Sequence, residues 1–286
     1  MHGRLWLVFS IIVTVFWGVW GAFIEIPEKA GFPATLGYSV WALTTIPCAL
    51  VALTIIRWKL EHDGMSIFLG STVGLLGAGG QLILFEALRY GPAYLVFPII
   101  SMYPMLTVVL SLAFLKERAS RRASAGIVLA LIAIALLSYQ PPNNTAAQGR
   151  LWMLMAFGVF LMWGVQAYVM KFANNTMAAE SIYFYMMATA VVLIPVAVWM
   201  TDFSRPINWG FKGPYLAALI QVLNAIGALC LVYALRFGKA IIVVPMTALA
   251  PVLTIIISLA LYRVIPHPVL ATGMGFAAVS IYLMAE

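Results

Sequence analysis

Charged residues are scarce in this sequence of 286 residues: only 9% are Asp, Glu, Lys or Arg. Soluble domains average about 25% charged and about 45–50% apolar residues, whereas 64% of this chain is hydrophobic. A single water-soluble core could not bury so much apolar surface, so we expect the surrounding solvent to be lipid. The composition therefore predicts an integral membrane protein.

Cysteine and histidine are also rare, with two cysteines and three histidines in the whole chain. Cys48 and Cys230 lie inside apolar runs, and neither has a second cysteine or a histidine at ligand spacing. His2, His62 and His267 are far apart in sequence. We therefore predict no metal site and no cofactor, and we interpret both cysteines as small core residues.

The net charge of +7 and the pI of about 9.5 do not indicate a nucleic-acid partner. Nucleic-acid-binding proteins concentrate their basic residues on one face or one domain. Here the basic residues stand at the ends of apolar runs, where cytoplasmic loops of membrane proteins carry them. The partners expected from the sequence are a lipid bilayer and a small-molecule solute, with no nucleic acid.

Ten stretches without Asp, Glu, Lys or Arg are each long enough for a membrane crossing, which needs about 20 residues at 1.5 Å rise. They are Leu5–Ile24, Ala30–Ile56, Gly64–Phe85, Tyr90–Leu115, Ala123–Gly149, Leu151–Met170, Ser181–Thr201, Gly213–Leu235, Ala240–Tyr262 and Val264–Ala285. The predicted fold class is an all-α integral membrane protein with ten transmembrane helices.

The distribution of Lys and Arg between the short connections predicts the orientation. With the N-terminus inside, the inner ends of the first five spans carry seven basic residues and the outer ends carry two. The inner set is Arg4, Arg57, Lys59, Lys116, Arg118, Arg121 and Arg122; the outer set is Lys29 and Arg89. We predict a plasma-membrane protein, of the bacterial inner membrane, with both termini in the cytoplasm.

The chain repeats itself. Gly3-Arg4-Leu5-Trp6 recurs as Gly149-Arg150-Leu151-Trp152, at an offset of 146 residues. At an offset of 147, residues 87–113 match residues 234–260 at 13 of 27 positions, including one Arg and two prolines. We predict two five-helix repeats, 3–139 and 149–285. Because five is odd, the second copy enters the membrane from the opposite side, and inverted repeats are typical of secondary transporters.

These repeated residues resemble the EamA family of the drug/metabolite transporter superfamily. The first copy has Ala87-Leu88-Arg89-Tyr90-Gly91-Pro92-Ala93 before a proline-bearing helix that ends in Leu115-Lys116-Glu117-Arg118. The second copy has Ala234-Leu235-Arg236-Phe237-Gly238-Lys239-Ala240 but lacks the Glu at the end of its fourth helix. The resemblance covers nearly the whole chain and implies a ten-helix carrier of small metabolites.

Aromatic and amide side chains inside the spans are the candidate solute ligands. Trp17 and Trp163 lie about 18 Å into their spans, whereas interfacial tryptophans lie at span ends. Amides buried in lipid need hydrogen-bond partners and therefore face the bundle interior. The predicted substrate-binding set is Trp17, Trp20, Gln81, Tyr103, Trp163, Gln166, Gln221 and Asn224. Helix packing is the alternative role for these residues.

Two further groups have candidate roles in transport. Paired prolines recur in the fourth and ninth spans, where each removes a backbone donor; the predicted hinge residues are Pro98, Pro104, Pro245 and Pro251. Two acidic residues, Glu25 and Glu86, stand at span ends and could couple transport to protons. Both could instead reach water, and facilitated diffusion or exchange is the favoured alternative.

The sequence predicts a secondary transporter that works by alternating access. The favoured solute is an amino acid or a related amphipathic compound, because the mid-span Arg and Lys that a highly charged nucleotide would need are missing. A sugar or nucleotide-sugar carrier and a non-transporting receptor or auxiliary subunit are the alternatives. We predict no enzyme, because HExxH, GxSxG and paired carboxylates within a span are missing. The inverted repeat favours a monomer or a weak dimer over a channel-forming ring.

Overall fold

A computed structural model describes residues 4–139, 150–262 and 266–285. These residues form helices and turns and contain no strand. Some predicted positions lie outside the described residues. They are the repeat boundaries at Gly3 and Gly149, the end of the fifth apolar run and the beginning of the tenth. The helical fold follows from the sequence because a chain in lipid must satisfy its backbone hydrogen bonds within each segment.

The helices follow the apolar runs in chain order. The first half contains α1 (Leu5–Phe23), α2 (Glu25–Lys29), α3 (Ala34–Ile55), α4 (Gly64–Tyr90), α5 (Ala93–Ser101), α6 (Tyr103–Ala113) and α7 (Arg121–Leu137). The second half contains α8 (Leu151–Ala173), α9 (Ala179–Val192), α10 (Ile194–Trp199), α11 (Leu216–Phe237), α12 (Ala240–Thr247), α13 (Ala250–Tyr262) and α14 (Pro268–Met284). A π-helical turn, Phe211–Tyr215, leads into α11.

Within the described part of the chain, eight helical segments are long and apolar enough to cross a membrane. They are Leu5–Lys29, Ala34–Ile55, Gly64–Tyr90, Leu95–Ala113, Leu151–Ala173, Ala179–Trp199, Phe211–Phe237 and Ala240–Leu261. The two helices that would be the fifth and tenth spans, α7 and α14, have 17 described residues each, or about 26 Å of helix. The described residues thus contain eight candidate spans in place of the ten predicted, and a count of ten stays a prediction.

Prolines coincide with breaks in three of these segments. The run of helical hydrogen bonds is interrupted just before Pro104, Pro195 and Pro251, because proline cannot donate the hydrogen bond that would continue the preceding turn. The break at Pro195 was not predicted. Pro98 and Pro245 instead lie inside α5 and α12. A hinge role for the four predicted prolines stays a prediction.

The bundle exterior is apolar, as lipid contact requires. Large hydrophobic side chains such as Val192, Leu154 and Phe114 are more than 65% exposed, which would be an aggregation hazard on a soluble protein. The interior is built from long pairwise contacts of α4 with α8, α1 with α11 and α7 with α14. All three pairs join one repeat to the other, and the first two position the candidate site.

Candidate functional site

A tryptophan–amide network lies between α1 and α11. The Trp20 indole donates to Gln221 Oε1 at 2.9 Å, and Asn224 Nδ2 lies 3.4 Å from the same oxygen. The Gln221 amide group in turn donates to the Gly37 carbonyl at 3.3 Å. Gln221 is only 5% exposed. This network satisfies most of the hydrogen-bonding capacity of the Gln221 side chain within the protein.

Trp17 packs into the same interface through a glycine contact. Its indole nitrogen lies 3.4 Å from the Asn224 carbonyl. A Cβ atom at Gly227 would come within 2.5 Å of that nitrogen. Gly227 therefore lets the indole ring lie directly against the backbone of α11, and any larger residue would displace it.

An equivalent tryptophan contact joins α4 and α8. The Trp163 indole donates to the Gly77 carbonyl at 3.3 Å, and a Cβ at Gly80 would lie 2.6 Å from its nitrogen. Trp163 follows Trp17 by 146 residues, and Gly77 and Gly80 precede Asn224 and Gly227 by 147. The Tyr103 ring packs edge-on against Trp163 with centroids 5.9 Å apart.

The amides near this second contact are not paired. Gln166 lies on α8 with its amide nitrogen 2.2 Å from where a Gly77 Cβ would be, and Gln81 follows Gly80 on α4. Both side chains are half-buried, and within the described part of the chain neither has a hydrogen-bond partner. An amide in a membrane-spanning segment needs a donor or acceptor, so these two groups are available to water or to a solute.

The eight predicted substrate ligands thus fall into two groups. One contains Trp17, Trp20, Gln221 and Asn224; the other contains Gln81, Tyr103, Trp163 and Gln166. Among the described residues, no hydrogen bond or ring contact joins one group to the other. A solute-binding role for either group stays a prediction, but the structure distinguishes them by hydrogen-bond satisfaction, which the sequence analysis did not foresee.

Contacts between the repeats are exchanged in matching pairs. Thr107 donates to the Gly164 carbonyl and Thr254 donates to the Gly18 carbonyl, both at 2.9 Å. The pair of α4 with α8 corresponds in the same way to the pair of α11 with α1. Such an exchange is what two-fold related repeats produce, and it extends the sequence repeat into the packing.

The two predicted coupling carboxylates form local ion pairs on helix surfaces. Glu25 pairs with Lys29 four residues on, and both side chains are more than half exposed. Glu86 pairs with Arg89 at 3.1 Å, three residues on. Such i,i+3 and i,i+4 pairs contribute about 0.2–0.5 kcal/mol. Neither contact involves a residue of the predicted substrate-binding set.

The buried acidic residue Glu180 is not among the predicted site residues. Glu180, at the start of α9, is 9% exposed and accepts a 2.6 Å hydrogen bond from the Tyr233 hydroxyl. Tyr233 occupies the repeat position of Glu86. The position of Glu180 immediately before an apolar run could have indicated it, but its partner lies 53 residues away.

Glutamates also join the repeats at the end that the topology prediction places inside. Glu117 accepts from the backbone amides of Ala240 and Ile241 at 3.1 and 3.0 Å, at the N-terminus of α12. Glu61 accepts from the Ala178 amide at 2.6 Å, just before α9. Both carboxylates satisfy helix-start donors, which otherwise have no intrahelical partner. The two contacts of Glu117 give this residue of the Leu115-Lys116-Glu117-Arg118 motif a structural role.

A cavity of about 830 Å³ lies at the opposite end, between α4, α8 and α10. Its lining residues are Leu82, Ile83, Glu86, Arg89, Leu154, Met155, Gly158, Val196, Trp199, Met200, Thr201 and Asp202. It contains Glu86 but none of the eight predicted substrate ligands. No group of three or more His, Cys, Asp or Glu that could hold a metal ion is present among the described residues.

Comparison with known proteins agrees with these features. The uncharacterized protein MJ1333.1 of Methanocaldococcus jannaschii is 32% identical over 134 residues, which cover 46% of this chain and 95% of that protein. Protein LicB of Haemophilus influenzae is 24% identical over 250 residues, covering 84% of this chain and 82% of LicB. A solved crystal structure with 16% sequence identity superimposes with a TM-score of 0.77 over 96% of this chain and 97% of the other, which shows a shared fold.

The sequence model of the EamA-like transporter family matches this chain twice, over residues 4–139 and 150–285. Each match spans one of the two repeats whose contacts are exchanged in the structure, although the repeat boundaries at Gly3 and Gly149 stay predictions. The double match covers nearly the whole chain and agrees with its apolar helices. The chain belongs to the EamA-like transporter family, within the drug/metabolite transporter superfamily.

Proposed function

We propose that this protein is a secondary transporter that carries a small amphipathic metabolite, such as an amino acid, by alternating access. The observation that carries the proposal is the unequal hydrogen bonding of two equivalent tryptophan sites. The amide Gln221 beside Trp17 is paired, whereas Gln81 and Gln166 beside Trp163 have free donors and acceptors. A solute with apolar and polar parts would contact the Trp163 and Tyr103 rings and bind these free amides.

The proposed carrier has ten spans, with α7 and α14 as the fifth and tenth. These two helices pack along each other, and each is within about 4 Å of the 30 Å hydrocarbon thickness. With the second repeat inverted, both termini are cytoplasmic and the membrane is the bacterial inner membrane. Because the two repeats complete the bundle within one chain, a monomer or weak dimer is sufficient for transport.

The alternatives are a sugar or nucleotide-sugar carrier and a receptor or auxiliary subunit that binds without transport. We propose a thermal-shift screen of purified protein against amino acids, sugars and nucleotide sugars, because a ligand stabilises the folded state by mass action. Each stabilising solute is then offered as a radiolabelled substrate to proteoliposomes. Saturable uptake of an amino acid supports the proposal.

The same experiment separates the alternatives. Uptake of a nucleotide sugar alone would replace the proposed substrate class, and binding with no uptake or exchange would identify a receptor instead. The matched variants are Gln166→Ala, which removes a free amide, and Asn175→Ala, which removes an exposed amide in the turn after α8. Only the first is expected to weaken binding and uptake together.

A further inference from the structure

The cavity between α4, α8 and α10 opens sideways, toward lipid. Leu154 and Trp199 form part of its wall, and they are 70% and 84% exposed on the bundle exterior. Gly158 lies in the same wall, and a Cβ at this position would meet nothing within 4 Å. The cavity is therefore an open, largely apolar groove along the outside of the bundle, and we call it the groove below.

One end of this groove is charged. Glu86 and Arg89 line it from the end of α4, and Asp202 lines it from the end of α10. Asp202 lies outside the spans, and hydrogen bonds from the Ser204 hydroxyl and amide are the main cause of its lowered pKa, with smaller contributions from Arg205 and Arg89. The Asp202 carboxylate is thus ionised at neutral pH, and it interacts electrostatically with Arg89.

The corresponding groove of the other repeat pair is filled. Phe9 stands at the repeat position of Met155 and stacks on Tyr233 and Phe237, with ring centroids 5.2 and 6.0 Å away. Ile12 replaces Gly158 at the equivalent position. Two-fold symmetry therefore does not by itself produce a groove, and the opening belongs to the residues of this side.

Arginine use differs between the two sides in the same way. Arg236, the counterpart of Arg89, donates to the carbonyls of Asn174 and Met177 at 2.6 and 2.8 Å and so joins two helix ends. Arg89 forms a single ion pair with Glu86 and is more than half exposed. A guanidinium has five N–H donors, so Arg89 keeps donors for a phosphate beside the groove.

We propose that this groove binds a zwitterionic phospholipid whose headgroup carries a primary amine. The acyl chain would lie over Leu154, Gly158 and Trp199, the phosphate would contact Arg89, and the ammonium would donate to Asp202 and Glu86. This site is separate from the tryptophan–amide groups, so it stands whether or not the proposed solute is correct.

The charges of the groove favour this lipid class over others. Asp202 also pairs with Arg205 at 3.3 Å, so Glu86, Asp202, Arg89 and Arg205 together sum to zero. A zwitterionic headgroup leaves this balance unchanged, whereas an anionic headgroup would add one uncompensated negative charge beside the two carboxylates. A trimethylammonium headgroup cannot donate hydrogen bonds, whereas a primary ammonium has three donors for the two carboxylates. Trp199 is the last residue of its candidate span, and aromatic side chains at span ends typically contact lipid headgroups.

Native mass spectrometry of the detergent-purified full chain tests the site. The probes are phosphatidylethanolamine, phosphatidylglycerol and phosphatidylcholine with the same acyl chains. Gly158→Leu fills the groove, and leucine is a better helix former than glycine, so folding is favoured. The matched control is Gly275→Leu, at an exposed position of α14 where a Cβ also meets open space. Asp202→Asn tests the headgroup end without altering the apolar wall.

We expect wild type and Gly275→Leu to retain phosphatidylethanolamine about tenfold better than phosphatidylglycerol, the size expected for one lost charge-assisted hydrogen bond. Gly158→Leu should lose retention of all three lipids, and Asp202→Asn should lose only the preference for phosphatidylethanolamine. Equal retention of the three lipids by wild type, or unchanged retention by Gly158→Leu, would overturn the proposal. Preference for phosphatidylglycerol would overturn the assignment of the headgroup.

Discussion

The indole nitrogen of Trp20 donates a 2.9 Å hydrogen bond to the side-chain oxygen of Gln221. The residue that replaces Trp20 in the second repeat is Gln166, and its amide has no hydrogen-bond partner among the described residues. The same point in two related helices is therefore closed by a protein contact in one repeat and left open in the other. This difference separates residues that stabilise the bundle from residues that could bind a solute.

Gln166→Ala and Trp163→Ala should impair transport while the protein still inserts into the membrane. A solute that loses one neutral hydrogen bond, worth about 0.5–1.5 kcal/mol, should bind Gln166→Ala up to about tenfold more weakly. Gln221→Ala provides the contrast, because it breaks the bonds to Trp20 and Gly37 and should lower the melting temperature. Uptake assays and thermal unfolding separate the two effects. Unaltered uptake in both first variants would remove these residues from the site.

Gly80→Ala and Gly227→Ala should each destabilise the protein. Their new Cβ atoms would lie 2.6 and 2.5 Å from the Trp163 and Trp17 indole nitrogens, so a ring must shift. Overpacking of this kind costs about 1–3 kcal/mol. Gly275→Ala, which meets open space, is the control and should unfold like wild type or slightly later. Equal thermal stability of all four proteins would contradict the close contacts.

Glu117→Ala should destabilise the start of α12. Removing the carboxylate leaves the amides of Ala240 and Ile241 without their acceptor, and loss of a helix cap costs about 0.5–2 kcal/mol. Glu25→Ala is the matched control, because Glu25 forms an exposed pair with Lys29 and exposed pairs contribute about 0–1 kcal/mol. Thermal unfolding in detergent measures both, and a larger loss for Glu25→Ala would be inconsistent with the cap.

The charge bias of the first repeat predicts the topology. Reporters fused after Glu286 and in the Arg57–Asp63 loop should read cytoplasmic, and one in the Pro141–Gln148 loop should read external. The measurement uses paired reporters that are active on opposite sides of the membrane. A cytoplasmic result for the Pro141–Gln148 fusion would refute both the orientation and the inversion of the second repeat.

We expect that neither Glu25 nor Glu86 couples solute flux to a proton gradient. Each carboxylate is paired with a nearby basic residue on a helix surface, away from the tryptophan–amide groups. We expect uptake into proteoliposomes to be the same with and without an imposed pH gradient, for wild type, Glu25→Gln and Glu86→Gln. Gradient-driven accumulation that is lost in either variant would instead establish proton coupling through that residue.

Much of the fold could be predicted because the bilayer imposes a length on every span. Apolar runs located the helices, and Pro104 and Pro251 stand at observed breaks. The break before Pro195 could not be predicted in this way, because the repeat identifies only prolines that are present in both copies. The repeat also indicated the equivalence of Trp17 and Trp163, which the glycine contacts reproduce.

Pairing within the candidate site could not be predicted. Whether an amide is satisfied depends on a partner distant in sequence: Gln221 bonds residues 201 and 184 positions away, while Gln166 has no such neighbour. The cap by Glu117 acts across 123 residues, and the hydrogen bond from Tyr233 to Glu180 crosses 53. Sequence patterns identified the residue types, but only packing between helices determines which of them remain free.

The repeats are held together by different chemistry at their two ends. At the predicted inner end the acceptors are carboxylates, Glu61 and Glu117; at the outer end the contact between Thr35 and Thr201 is neutral. Charge-assisted hydrogen bonds are about twice as strong as neutral ones, and 1.4 kcal/mol shifts a two-state population about tenfold. We therefore expect an unloaded carrier to rest open to the outside and to favour uptake. The test is to label single cysteines introduced at each end in the absence of solute. Greater labelling at the inner end than at the outer end would contradict this expectation.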